Sequence, residues 1–171
     1  MKRKILHMVI LIFTLVIVGC ASSVERMNDS EFYHYDGQKF SKVELTIKKD
    51  ATDDLDDIVR FDQDELQNMI EQNLKVKGLV DANSHNIVKV EITDIRVRST
   101  FNAFMWGIMA GDDHIEGDIS LLGENAATFH TFQVSASYAL GGMMGFKETR
   151  MSWLYEEFSK LTLQEILGQK P

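Results

Sequence analysis

The fold of this chain is organised around the sequence Ile87-Val88-Lys89-Val90-Glu91-Ile92-Thr93-Asp94-Ile95-Arg96-Val97-Arg98. Apolar and polar residues alternate along it, which is the period-two pattern of a strand with one buried face. The apolar positions are Val88, Val90 and Ile92, after which the phase shifts to Ile95 and Val97. One extra residue near Thr93-Asp94 therefore predicts a β-bulge within this strand.

The residues before this strand predict one further strand and one helix. Val43, Leu45 and Ile47 alternate with polar residues, as in a half-buried strand. Asp62, followed by Glu65 three residues later, resembles a capping box, and apolar residues then recur on one helical face. We therefore expect a helix from about 62 to 77, closed by Gly78.

The residues after it predict two strands and a second helix. Ile115, Ile119 and Leu121 share one face of a strand between about 113 and 122. A second alternating stretch, between about 129 and 138, follows the hairpin loop Gly123-Glu124-Asn125. A helix from about 148 to 166 then carries a buried stripe, stopped by Gly168. The stripe consists of Met151, Leu154, Phe158, Leu161 and, at its polar end, Glu165.

This order of elements predicts the fold class. A strand-helix-strand crossover followed by an antiparallel meander places both helices on the same face of one sheet. We therefore expect an α+β fold: a two-layer α/β sandwich with about four mainly antiparallel strands and two helices. Residues 40–171 are expected to form this single domain, which is long enough for its own core.

The N-terminus predicts a secretory signal. Lys2, Arg3 and Lys4 precede the apolar run Ile5 to Val18, which is shorter than the roughly 20 residues that span a bilayer. Ile17-Val18-Gly19-Cys20-Ala21 then resembles the lipobox of bacterial lipoproteins. The resemblance implies cleavage between Gly19 and Cys20, removal of residues 1–19, and lipidation of the Cys20 thiol. Two or three acyl chains would make this membrane anchor effectively permanent.

The lipobox resemblance also implies a location. Ala21 and Ser22 follow the cysteine, with no aspartate there, which resembles the pattern of outer-membrane lipoproteins. Residues 20–39 are expected to form a lipidated N-terminus and a tether, whose aromatic residues dock onto the domain. The domain itself then lies in the periplasm, where another envelope protein is the expected partner.

Charge and cysteine content exclude several function classes. Loss of Lys2, Arg3 and Lys4 with the signal peptide takes the formal net charge from -8 to -11. Such an acidic protein repels phosphates, so we expect no nucleic-acid partner. Lipidation of Cys20, the only cysteine, leaves no thiol for a disulfide, thiolate catalysis or a cysteine metal site.

Two groups of charged residues are candidate sites. Asp112, His114, Glu116 and Asp118 stand at alternate positions and would share one strand face, where they are candidates for a metal-dependent hydrolase. The same pattern is what any solvated strand face shows, because apolar residues occupy the opposite face. The aspartates at 50, 53, 54, 56 and 57 lack the spacing of a calcium-binding EF-hand loop. We therefore assign no metal, cofactor or catalytic residue.

Two connections between predicted elements are unusually apolar and rich in glycine and methionine. One is Phe101 to Gly111 and the other is Ala139 to Phe146. Either they close one end of the sandwich and bury each other, or they form an adaptable surface for lipid or a partner protein. The candidate interaction surface consists of Phe101, Phe104, Met105, Trp106, Met109, Gly141, Gly142, Met143 and Met144.

These motifs resemble a known family. Four parts of the sequence are similar to bacterial lipoproteins of domain-of-unknown-function family 4410. They are the central strand, the segment from Phe101 to Gly111, the strand from Ile115 to Leu122, and the Gly-Gly loop leading to a helix with Trp153, Leu154 and Phe158. The likeness covers most of residues 40 to 167. It implies a periplasmic α/β domain on a lipid anchor, without known catalytic residues.

The sequence thus favours a non-enzymatic accessory or interaction module in the cell envelope. An alternative is a carrier that shelters a lipid or other apolar ligand between the helices and the sheet. A metal-dependent hydrolase centred on His114 is the third hypothesis.

Overall fold

A computed structural model of the protein describes residues 22–27, 33–53, 61–98, 111–138 and 147–169. Within these ranges the chain forms five strands and two α-helices, which confirms the predicted α+β class. They are β1 (Ser23–Arg26), β2 (Lys42–Ile47), α1 (Gln63–Val76), β3 (Ile87–Arg96), β4 (Asp113–Leu122), β5 (Thr128–Tyr138) and α2 (Lys147–Ile166). A short 3-10 turn, Glu124–Ala126, joins β4 to β5.

The sheet has the strand order β1-β5-β4-β3-β2. β2 pairs with β3 in parallel, and α1 provides the crossover between them. The other pairs are antiparallel, so the predicted crossover and meander are both confirmed. Buried residues of α1 and α2 belong to the same core cluster as the alternate residues of all the strands from β2 to β5.

The fifth strand, β1, is a difference from the sequence prediction. Ser23–Arg26 lies within the expected tether, yet it pairs with β5 from Ser23↔Ser135 to Arg26↔Phe132. Four residues are too few for a period-two pattern to be recognised, and the partner strand is more than 100 residues away. Further along the expected tether, Tyr33 and Tyr35 pack against the core, and Phe40, the first residue of the expected domain, belongs to it.

The β-bulge in β3 and the N-cap of α1 agree with the predictions made from the sequence. The register between β3 and β4 shifts between Ile92 and Asp94, which confirms the bulge. The bulge keeps both Ile92 and Ile95 fully buried on the core face. At the start of α1, the Asp62 side chain accepts a hydrogen bond of 2.9 Å from the Glu65 N–H, as in a helix N-cap.

Gly117 of β4 packs against Phe158 of α2, and its replacement by alanine should destabilise the fold. An added Cβ would lie 3.0 Å from Cζ of Phe158 and 3.2 Å from the carbonyl oxygen of Glu91. Because the carbonyl belongs to the neighbouring strand, we expect Gly117→Ala to cost about 1–3 kcal/mol of unfolding free energy. Urea denaturation measures this difference.

Gly123→Ala is the matched control for this prediction. Gly123 follows the same strand, but a Cβ there would meet no atom nearer than 3.5 Å. We expect the control to stay within about 0.5 kcal/mol of the parent protein. Equal urea midpoints for the two variants would show that the packing of Phe158 over Gly117 is looser than described.

Candidate functional site

Three of the four charged residues predicted to share one face of β4 do so, and the fourth, Asp112, lies just before the strand. His114, Glu116 and Asp118 are partly exposed and alternate with the buried Ile115, Gly117 and Ile119. They project from the face of the sheet opposite the helices, because the helices cover the buried set. The side chains are therefore accessible from the outside, and their partners determine what chemistry they can perform.

Cross-strand neighbours engage each member of this set. Nε2 of His114 lies 2.9 Å from Oδ2 of Asp94, and its Nδ1 lies 3.6 Å from Oδ1 of Asp112. Glu116 accepts a hydrogen bond of 3.2 Å from the Ser135 hydroxyl. Asp118 accepts one of 3.3 Å from the amide of Gln133. These contacts are the lateral pairs of a polar sheet face, and none brings a nucleophile to the imidazole ring.

The same face does not assemble a metal site. Across the described ranges, no three side chains of histidine, cysteine, aspartate or glutamate are grouped so that they could hold an ion. Asp50 and Asp53, from the acidic stretch, lie exposed in the turn that follows β2. Asp54, Asp56 and Asp57 lie outside the described residues.

The candidate interaction surface also lies outside the described residues, but the positions that flank its two segments do not. Arg98 and Gly111 flank the first segment, residues 99–110, and Tyr138 and Lys147 flank the second, residues 139–146. The register places Asp113 opposite Tyr138, and Arg96 opposite His114. Arg98, Gly111 and Tyr138 therefore lie at one end of the sheet, which we call the segment end. The helix that begins at Lys147 reaches the same end, because its Arg150 contacts Asp113.

A buried charged cluster joins the elements at the segment end. Asp113 is fully buried, and Arg98 and Arg150 are nearly so. Oδ1 of Asp113 accepts hydrogen bonds from the Arg98 N–H at 2.9 Å and from its Nε at 3.0 Å. Oδ2 of Asp113 accepts from Arg150, whose Nη2 also donates to the Arg98 carbonyl at 2.9 Å. The cluster thus ties the end of β3, the start of β4 and the first turn of α2 together.

A second buried charged cluster holds the N-terminal segment on the domain. The Glu165 carboxylate is 1% exposed and accepts hydrogen bonds from Arg26 Nε at 2.6 Å and Nη2 at 2.8 Å. Nε2 of His130 lies 2.9 Å from the same carboxylate, and the Tyr33 ring stacks on the His130 ring at 4.3 Å. This arrangement connects β1, the tether, β5 and α2.

The ionisation of Glu165 reflects these contacts. Burial by itself would raise the pKa of the carboxyl group. The hydrogen bonds from His130 and Arg26, together with the charge of Arg26, outweigh burial and lower the pKa of Glu165 from 4.5 to about 2. The carboxylate is therefore charged in the folded protein at neutral pH, and it holds Arg26 as a bidentate ion pair.

Neither cluster was predicted from the sequence. Glu165 was recognised as the polar end of an otherwise apolar helical stripe, and a charge at such a position requires a buried partner. That signal indicates the existence of a partner but not its identity. The sequence gives less indication of the cluster at the segment end. Arg98 and Asp113 stand at the ends of predicted strands, where a charged residue does not by itself point to a buried partner.

The described chain begins at the segment end. The Ser22 hydroxyl donates to the Ser137 carbonyl at 3.4 Å and accepts from the Ser137 N–H at 3.1 Å. β1 then runs antiparallel to β5, away from this end. Cys20 precedes Ser22 by two residues and lies outside the described residues.

One open groove lies between β2 and α1, at the edge of the sheet. Its volume is about 370 Å³, and its lining includes Phe40, Lys42, Val43, Glu71, Leu74 and Lys75. Apolar side chains line most of it, and Lys42, Glu71 and Lys75 add charged groups. In the part of the chain that the structure describes, no helix is both long and apolar enough to cross a bilayer.

Several solved structures are similar to this chain at low sequence identity. A PelC dodecamer from Paraburkholderia phytofirmans matches with a TM-score of 0.53 and 12% identity, covering 87% of this chain and 100% of that one. Protein XCC0632 from Xanthomonas campestris gives 0.48 and 9%, covering 84% and 88% of the two chains. A minor lipoprotein from Acinetobacter baumannii gives 0.40 and 9%, covering 76% and 92%. Of these three, the PelC match supports the fold, and it carries no functional statement.

Sequence comparison gives a family rather than a characterised relative. No curated protein matches the chain significantly. Residues 21–142 match the domain of unknown function DUF4410. The match covers most of the chain, including β1 to β5 and the first apolar segment, and it confirms the family that the sequence motifs resemble. The protein therefore belongs to the DUF4410 family.

Proposed function

We propose that this DUF4410 protein is a lipid-anchored, non-enzymatic accessory module of the bacterial cell envelope. Cys20 carries the anchor in the outer membrane, and the domain faces the periplasm. The observation that carries the proposal is the sequence Ile17-Val18-Gly19-Cys20-Ala21, placed directly after a basic start and an apolar run. A second sequence signal, the absence of an aspartate at the positions after Cys20, supports outer-membrane sorting.

The structure supports an anchor that is joined directly to a rigid domain. β1 begins at Ser23, only three residues after Cys20, and Ser22 is hydrogen-bonded to β5. Arg26 then fixes β1 to α2 through its ion pair with Glu165. A lipid on Cys20 therefore restrains the whole sheet rather than the far end of a flexible linker.

The interaction surface that we propose is the segment end with its two apolar segments. The module engages another envelope component there through the nine residues named above, from Phe101 to Met144. Two observations on the described residues favour binding over catalysis. His114, Glu116 and Asp118 are paired across strands, and no group of three metal-ligating side chains is assembled there.

Metabolic labelling with palmitate tests the anchor. We expect the parent protein to be labelled and shortened by removal of residues 1–19, because the Cys20 thiol accepts the diacylglyceryl group. Cys20→Ser should remain unlabelled and unprocessed, because a hydroxyl cannot form the thioether.

A relocated thiol is the matched control for this experiment. The double variant Cys20→Ser, Ser23→Cys keeps one cysteine, at an exposed position of β1, but lacks the lipobox. It should also remain unlabelled. Labelling of this variant, or an unlabelled parent, would contradict the proposed anchor.

A further inference from the structure

The groove between β2 and α1 lies beside an open edge of the sheet. β2 has a single neighbour in the described sheet, β3, so the backbone groups of its other edge do not pair with a strand of that sheet. The Leu45 carbonyl belongs to this outer edge, where it accepts a hydrogen bond of 2.7 Å from the Gln63 side chain of α1. Because alternate residues of a strand present their backbone groups to the same edge, those of Val43 face the outer edge as well.

One end of this open edge is blocked by the chain that follows α1. The Phe40 N–H donates to the Leu79 carbonyl at 2.8 Å, and the Phe40 carbonyl accepts from the Asp81 N–H at 2.9 Å. Phe40 is thereby bridged to Val80, so residues 79–81 occupy the place that an added strand would take. We call this side of the groove its closed end. A strand laid along β2 must stop there, so a chain terminus fits the groove better than the middle of a chain.

The floor of the groove is apolar. Phe40, Val43 and Leu74 line it, and each is no more than 2% exposed. Val80, at the closed end, is 41% exposed, so a bound apolar side chain can cover it. The volume of about 370 Å³ lies at the lower end of the range for ligand pockets, roughly 300–1,000 Å³. The space therefore suits one apolar side chain of a peptide together with the backbone that carries it.

The charges around the groove favour a carboxylate at the closed end. Lys75 lines the groove from the last turn of α1, directly before the chain that forms the closed end. Within the described ranges, no carboxylate lies at ion-pair distance from its ammonium group. The other two charged side chains of the lining are engaged, since Lys42 pairs with Glu44 at 2.5 Å and Glu71 accepts a hydrogen bond from Gln67 at 3.3 Å. Lys75 is therefore the cation that can bind an anionic group of a ligand.

We propose that this groove binds the C-terminal end of a partner protein chain whose last residue is apolar. The bound peptide runs antiparallel to β2 and exchanges backbone hydrogen bonds with Val43. Its last side chain packs on Phe40 and Leu74, and its terminal carboxylate binds Lys75 at the closed end.

This inference goes beyond the proposed function, because it concerns a different surface. The groove lies where β2 begins, and the parallel register with β3 places that position at the end of the sheet opposite the segment end. Binding in the groove is therefore tested separately from the lipid anchor.

Fluorescence anisotropy with labelled peptides tests the groove. The probe is a pool of hexapeptides that end in leucine, valine or phenylalanine and are randomised at the other positions. A matched pool carries a C-terminal amide in place of the carboxylate. The lipidated full-length protein is used in detergent solution, with detergent alone as the blank. We expect the carboxylate pool to bind about tenfold more tightly, because the amide cannot form the charge-assisted hydrogen bond to Lys75.

Two exposed lysines locate the binding. Lys75→Ala should remove the preference for the carboxylate pool. Lys77→Ala is the matched control, because Lys77 is also exposed but does not line the groove, and this variant should keep the preference. Methylation of the last backbone nitrogen of the peptides should also weaken binding severalfold, because it removes a hydrogen bond to the edge of β2.

Several results would overturn the inference. They are the absence of binding of either pool, equal affinities of the two pools, and a carboxylate preference that survives in Lys75→Ala. Sedimentation of the peptide-free protein gives a further one. Dimers of the parent that dissociate in Val80→Asp would show that a second copy of the chain occupies the groove.

Discussion

Replacing Asp113 with alanine should lower the free energy of unfolding by about 3–5 kcal/mol, the cost of removing one partner from a buried ion pair. Asp113 is fully buried, and both of its oxygens accept hydrogen bonds from arginine side chains. Without the carboxylate, the guanidinium groups of Arg98 and Arg150 remain in the interior without their shared counter-charge. A domain with a total stability of about 5–15 kcal/mol would lose a large part of it.

Asp118→Ala on the same strand is the matched control. Its carboxylate is partly exposed on the open face and accepts one hydrogen bond, from Gln133. We expect a loss of no more than about 1 kcal/mol, because solvent can replace that bond. Urea denaturation of both variants measures the difference, and similar midpoints would mean that Asp113 is not the counter-charge of the segment end.

Replacing Glu165 with glutamine should remove a pH-dependent part of the stability. The pKa of Glu165 falls from 4.5 in the unfolded chain to about 2 in the folded protein. A depressed carboxyl pKa stabilises the fold above the unfolded value, and this contribution disappears as the pH falls from 4.5 towards 2. The shift corresponds to roughly 3 kcal/mol at neutral pH. We therefore expect Glu165→Gln to be destabilised by about that amount at pH 7 and much less at low pH.

Denaturant titrations of the parent protein and Glu165→Gln at several pH values measure this effect. Glu157→Gln is the control on the same helix, since Glu157 contacts only the exposed Lys160 in the described structure, at 3.0 Å. Such a surface pair contributes about 0–1 kcal/mol. A gap between parent and Glu165→Gln that stays constant from pH 7 to pH 3 would contradict the proposed role of the Arg26 and His130 contacts.

The elements that could be predicted from the sequence are those whose signal is local. Alternation predicted β2, β3, β4 and β5, and the phase shift after Ile92 predicted the bulge. The spacing of Asp62 and Glu65 predicted the start of α1, and the glycine after the apolar stripe predicted the end of α2. β1 was not predicted, because its four residues show no recognisable strand pattern of their own and form a strand by pairing with β5.

In the candidate site, too, the features with a local sequence pattern were predicted and those that depend on distant residues were not. Period-two alternation correctly placed His114, Glu116 and Asp118 on one face of β4. It did not show that Asp94, across the β3 bulge, would be the partner of His114, because this depends on the register between two strands. One of the buried clusters depends on a still longer separation, because Arg26 and Glu165 are 139 positions apart in the sequence. A single sequence indicates which charged side chains occupy positions that should be buried. It does not indicate which distant residues become their partners in the fold.

The attachment of β1 also sets an order of events during synthesis. The strand made first pairs with β5 and is fixed by Glu165, which lies in the last turns of α2. Neither partner exists until almost the whole chain has been made, so β1 can join the sheet only after β5 and α2 have been synthesised.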